Sequence, residues 1–209
     1  MKSILKMLRW ARASALGLIG DNNALAAVEF AMILPVMLVL FFGTVEFSSG
    51  VAVDRKVNLM AHTLSDLTSQ SPTTGVLDTE LTNFFNAGAS IMYPYASTPL
   101  NAAISEIYID PNTGNAYVQW SRAFQGGVAR ATGSPVTTVP ASLEIKGTYL
   151  ILSEVSYLYT PAVGYVMSKA GVTLSASDYT RPRQALCVIY PGVTPPAGVP
   201  GCPTTENKS

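Results

Sequence analysis

Few residues in this chain are of the kinds that perform chemistry, and their spacing restricts what they could do. His62 is the only histidine, so a histidine-based triad would have to use it, yet no nucleophile motif accompanies it. No Cys/His cluster has metal-ligand spacing, and no glycine-rich phosphate loop follows a strand pattern. Asp110, Asn112 and Gly114 share the spacing of a calcium loop, but the terminal glutamate of such a loop is missing and turns use the same residue types. Tyr149, Tyr157, Tyr159 and Tyr165 make an aromatic-rich stretch, which reads as core or subunit contact before ligand platform. The expectation is therefore no catalytic residue, no metal, no cofactor and no small-molecule substrate, with His62 a solvated histidine near the polar edge of a helix.

Two features of the sequence do carry chemistry. Cys187 and Cys202 are the only cysteines; in an oxidising compartment they form one disulfide, with two free thiols or an intermolecular bridge as the alternatives. Closing a loop of about fifteen residues stabilises by roughly 3 kcal/mol on chain-entropy grounds. Glu29 is the other. It is the single charge in Leu25 to Val45, LAAVEFAMILPVMLVLFFGTV.

That run must be placed before Glu29 can be interpreted. The chain has 209 residues, 48% hydrophobic and 12% charged, with 13 basic against 13 acidic side chains. So little charge argues against nucleic-acid binding, an acidic tail or a disordered polymer. The apolarity is concentrated in one stretch, and at about 1.5 Å per residue that stretch crosses a hydrocarbon core of about 30 Å. The expected element is a transmembrane helix, the alternative being a helix buried in a core. Lys2, Lys6, Arg9 and Arg12 precede the span, while the first acid is Asp21; the basic flank stays cytoplasmic and the chain from about Glu46 onward is exported. A cleavable signal cut near Ser49 competes, although the long leader, the long apolar run and Glu29 all weigh against it.

Beyond the span, Val53, Val57, Met60, Leu64 and Leu67 recur at spacings of four and three, an apolar seam on a continuing helix whose partner is the protein's own sheet or, less simply, another subunit. Ser71-Pro72 stops that helix near Ser69, and Pro35 within the span predicts a bend. Leu77, Leu81, Phe84, Phe85 and Ile91 predict a second, shorter helix. The period then changes to two: Ile104 to Asp110 and Asn115 to Phe124 predict a hairpin, with Lys146 to Tyr159 and Arg183 to Tyr190 as further strands. Pro140 to Glu144 suggests one helical turn, and Gln125 to Pro140 is either a loop or an edge strand. The fold class is α+β: a single N-terminal transmembrane helix continuing into a long helix, then a domain with a mostly antiparallel sheet of about four strands.

Ala24-Leu25-Ala26-Ala27-Val28-Glu29-Phe30 places a small residue, four neutral residues, a glutamate and an aromatic at the mouth of the span. This resembles a type IV prepilin processing site, with Ala24 standing where the small residue is usually glycine. The resemblance implies a cut between Ala24 and Leu25, and a Glu29 carboxylate that meets the new α-amino group of a neighbouring subunit; an interfacial glutamate marking the end of the span is the plainer reading. The whole block AAVEFAMILPVMLVLFFGTVEF, with Pro35 and the second pair Glu46-Phe47, resembles the TadE/TadG-like proteins of the tight-adherence (Flp pilus) system. DRKVNLMAHTLSDLTSQ, VQWSRA, LSEVSYLYTP and YTRPRQA extend the likeness along the chain.

The resemblance implies a structural, non-enzymatic minor pseudopilin or accessory protein that helps assemble Flp-type pili at the inner membrane. Its partners would be the membrane, other pilins or pseudopilins, components of the Tad secretion system and a prepilin peptidase, with no nucleic acid. The chain divides into a basic cytoplasmic leader (1–24), the transmembrane helix (25–47), its extension (48–70), a periplasmic α+β domain (71–192) and a proline-rich tail (193–209). The rival from another class is a permanently membrane-tethered periplasmic binding module; a secreted hydrolase is a weaker third, for want of a catalytic cluster.

Overall fold

The computed structural model describes residues 22–161, 171–194 and 201–202. A single helix, α1 (Asn22–Ser69), contains Pro35 without interruption. A turn at 70–76 leads to α2 (Asp78–Ser90), and four strands follow: β1 (Leu100–Ile109), β2 (Ala116–Gln125), β3 (Tyr149–Tyr159) and β4 (Val172–Thr180). They form one antiparallel sheet in the order β2-β1-β3-β4. The class is thus α+β, as the sequence predicts.

Local chemistry accounts for the joints. The backbone N–H of Leu77 donates to the Glu80 carboxylate at 2.8 Å, closing the first turn of α2, where Asp78 and Glu80 also suit the helix dipole. Between β1 and β2, the Asp110 carboxylate accepts from Asn112 N–H (2.8 Å) and Thr113 Oγ1 (3.0 Å), and Gly114 takes a φ of +80°. Asp110 is thereby spent on its own turn, and its pKa falls, chiefly through the Asn112 backbone bond.

The helices cover one face of the sheet. Val53, Val57, Met60, Ala61 and Leu64 of α1 are buried against Ile104 of β1 and Ile151 and Val155 of β3, each large side chain contributing roughly 1.5–3 kcal/mol on burial. Gly88 lets α2 close on α1: a Cβ there would lie 3.1 Å from Leu64 and 3.2 Å from Met60. The opposite face buries Ile107, Val118, Leu150 and Leu152 beneath Val136 and Val139, which lie in the long connection between β2 and β3. That connection follows the β2 edge through backbone hydrogen bonds of Gly133, Ser134 and Val136 with Val118 and Ala116 but forms no strand there beyond the isolated bridge Tyr117–Pro135, so Gln125 to Pro140 is mainly loop. At Pro140 a single turn does form, with Leu143 N–H donating to the Pro140 carbonyl.

The last strand lies elsewhere than predicted. Arg183 to Tyr190 is irregular, and β4 is Val172–Thr180. The apolar run Ala185 to Ile189 acts as a strap over the far end of the helix-covered face, fixed by Arg183 N–H to the Ser69 carbonyl (2.8 Å) and Val76 N–H to the Ile189 carbonyl (2.8 Å). Tyr165 lies outside the described residues.

Candidate functional site

The most unusual surface of the molecule is the first half of α1. Leu25, Phe30, Ile33, Met37, Leu40 and Phe41 are all exposed, as are the apolar residues around them. A helix apolar on every face and unburied has no water-compatible role. It is long and apolar enough to cross a membrane, and none of its most apolar stretch is covered by the domain.

Glu29 sits on this surface near the N-terminal end of α1, exposed like its neighbours. Leu25 and Ala24 precede it within the first turns of the same helix. Glu46 is different: it is 3% exposed, at the foot of the domain, close enough to Tyr159 to bear on its hydroxyl. Burial raises the pKa of that hydroxyl, while its hydrogen bond with Ser49 works the other way. The two glutamates of the Glu-Phe pairs therefore have opposite settings, Glu29 outward on the apolar helix and Glu46 turned into the fold, while Phe30 and Phe47 are both exposed.

Cys187 and Cys202 form a disulfide with a Cα–Cα distance of 5.7 Å, packed with Tyr108 and Tyr149. The bond holds the strap, rather than a strand, to the residues after it. Burial pushes the Tyr149 hydroxyl up to about 12, with Tyr108 and Glu106 adding to the shift. Tyr157 is likewise core, donating from its hydroxyl to the Ala96 carbonyl at 3.0 Å.

His62 is exposed on α1 and has a partner, since its Nδ1 lies 3.2 Å from Asp178 Oδ2 on β4. Ser65 Oγ donates to that same oxygen. A serine, a histidine and an aspartate are thus brought together in the wrong order for nucleophilic catalysis. The hydroxyl is hydrogen-bonded to the aspartate and not to the imidazole, so the histidine is not placed to activate it as in a triad. The cluster joins α1 to β4. Among the described residues no group of three or more His, Cys, Asp or Glu is placed to hold a metal ion. A cavity of about 590 Å³ beside the β1–β2 hairpin is lined by Tyr117, Glu144 and Lys146 among others, and Lys146 already donates to the Asn112 carbonyl at 3.2 Å.

One node was not legible from motifs. Glu106, 1% exposed on β1, accepts from the backbone N–H of Val188 (2.5 Å) and from Trp120 Nε1 (2.9 Å), which also donates to the Val188 carbonyl at 2.8 Å. Burial raises the Glu106 carboxyl from 4.5 to about 8, against the two hydrogen bonds. The signal available in sequence was a glutamate at an inward register position, Ile104-Glu106-Tyr108, opposite a tryptophan able to donate to it.

These features define a single-pass membrane protein whose spanning helix runs without a break into a disulfide-bonded α+β domain. Within that class, residues 25–63 match the family model described as TadE-like protein, so the segment that resembled TadE in sequence is TadE-like. No curated protein and no solved structure matches the chain. The match associates the protein with a membrane and with assembly of Tad pili.

Proposed function

We propose that the protein is a minor pseudopilin or accessory protein in the assembly of Flp-type pili at the inner membrane, acting structurally and without catalysis. The supporting observation is that the TadE-like match starts at Leu25, the first residue after the expected cut, and runs through the exposed apolar helix headed by Glu29. In this reading the basic leader 1–24 faces the cytoplasm and the domain faces the periplasm. A prepilin peptidase removes the leader between Ala24 and Leu25. The apolar half of α1 waits in the bilayer until assembly exchanges lipid for the helices of neighbouring pilins or pseudopilins. Glu29, five residues into the mature chain, then pairs with the α-amino group of a neighbour, an interaction strengthened where water is absent.

Ala24, where such sites usually carry glycine, favours a second reading: a permanently tethered periplasmic binding module that keeps its leader. Glu29→Gln separates the two. Removing the charge leaves insertion intact or improves it slightly, since a charge costs up to about 3 kcal/mol at the bilayer centre and less near its edge. Pilus number per cell should fall sharply in the pseudopilin reading, with the variant present in the membrane at normal level. Normal piliation in that strain contradicts it.

A further inference from the structure

The domain is joined to the spanning helix with no linker, so its height above the membrane is set by α1. Tyr159, at the end of β3, packs where α1 leaves the apolar run: its ring lies 3.6 Å from the position of a Cβ on Gly50, and it shares a hydrogen bond with Ser49. Residues 49 and 50 are about 6–8 Å beyond Val45 along a helix. The headgroup layer of one leaflet is about 5–7 Å thick, from a core of about 30 Å in a bilayer of about 40–45 Å. The foot of the sheet therefore meets the outer edge of the headgroup layer.

The composition of that foot fits the position. Among the described residues it comprises the loop 93–99 with the start of β1 at 100–101, the end of β2 and start of the β2–β3 connection at 125–129, the end of β3 with the two residues after it at 156–161, and Gly171 with the start of β4 up to 175. These four segments contain no Asp, Glu, Lys or Arg. The opposite end of the sheet carries Asp110, Glu144, Lys146, Arg181 and Arg183. The loop at 93–99 is held in place: Lys56 Nζ donates to the carbonyls of Ile91 (2.8 Å) and Tyr93 (2.9 Å), and Leu158 N–H donates to that of Pro99 (3.3 Å). Three of the side chains it and its neighbours present outward are large and apolar or aromatic, Tyr93 81%, Val128 82% and Leu158 43% exposed, set among uncharged polar residues such as Ser97, Thr98, Thr160 and Thr173.

We propose that this end of the domain rests in the headgroup layer, with Tyr93, Val128 and Leu158 as its contacts to lipid. Tyrosine suits that layer because its ring is apolar and its hydroxyl is wet. The domain is seated on the bilayer instead of standing clear of it, and pilus assembly must then detach this seat as well as the helix. The inference rests on the reading of α1 as a membrane span, and the experiment tests the two separately.

The full chain, with the native disulfide intact, receives one added cysteine at a time, Tyr93→Cys, Val128→Cys, Asn112→Cys or Met37→Cys, labelled with bimane and placed at one copy per lipid nanodisc. Nitroxide on the lipid headgroup should quench positions 93 and 128 several-fold more than position 112 on the distal hairpin. Nitroxide in the acyl chains should quench position 37. Quenching at 37, with 93 and 128 no more quenched than 112 by headgroup nitroxide, overturns the seating alone and leaves the surface for another copy or partner. Absence of quenching at 37 overturns the span and the seating together.

Discussion

The two halves of α1 are one helix in two solvents. From Leu25 to Val45 the side chains are apolar around the whole circumference and nearly all exposed; from Val53 to Leu64 the stripe of Val53, Val57, Met60, Ala61 and Leu64 is buried to 0–1%, with Leu59 alone among the large apolar residues exposed off it. The same backbone geometry serves both, so pattern alone separates them: an all-round apolar surface suits lipid, and a stripe suits a sheet. Glu29 and Glu46 repeat the contrast, the first open to the helix surface and the second enclosed by the domain.

A matched pair of truncations sharpens that comparison most. Leu64→Ala should cost the domain about 2–5 kcal/mol in chemical unfolding, because it leaves a cavity between α1, α2 and the sheet. Val39→Ala, in the exposed half, should leave the same unfolding curve unmoved in detergent. A stability loss at Val39 equal to that at Leu64 would mean that the first half also packs on the domain.

The disulfide comes next in size. Cys187→Ser together with Cys202→Ser should destabilise the domain by about 3 kcal/mol for a closed loop of this length, with no effect on membrane insertion. Unchanged stability of the double variant, or full labelling of both thiols in the unreduced wild type, would remove the bond from the account.

Much of this contrast was legible in sequence, since long periodic patterns leave little choice. The stop near Ser69, the second helix, the β1–β2 hairpin and β3 all fall close to where periodicity and turn residues place them. β4 was missed for a physical reason. VTLSASDYT is an edge strand in which Val172, Leu174 and Ala176 do alternate with polar residues, but only these three apolar side chains, all half-buried, carry the pattern, so it is outweighed by the longer apolar run that follows. The stronger apolar run at Ala185 to Ile189 satisfies itself differently, covering the sheet end while Glu106 and Trp120 take up the backbone groups of Val188. A buried carboxylate standing in for strand pairing has no sequence period to reveal it. The roles proposed for Ala24 and Glu29 rest on a sequence motif alone, which is why they were legible before the fold.

The Glu106 node predicts an effect of different character, one that depends on pH. The folded-state pKa is raised, so the protonated carboxyl is favoured by folding; the stability this contributes is complete below about 4.5 and is lost as pH rises through about 8. The melting temperature of the wild-type domain should therefore fall between pH 5 and pH 9, and Glu106→Gln should flatten that slope. An equal slope in both proteins would assign the pH dependence to other groups.

The central claim concerns the exposed half of α1 and where its mature chain begins. Intact-mass and N-terminal peptide measurements on protein purified from pilus-producing cells test it directly. The account predicts loss of residues 1–24 and an N-terminus at Leu25, with full-length chain accumulating when the prepilin peptidase is absent. A chain that retains residues 1–24 in cells bearing pili, with or without the peptidase, would contradict it and establish a permanent anchor.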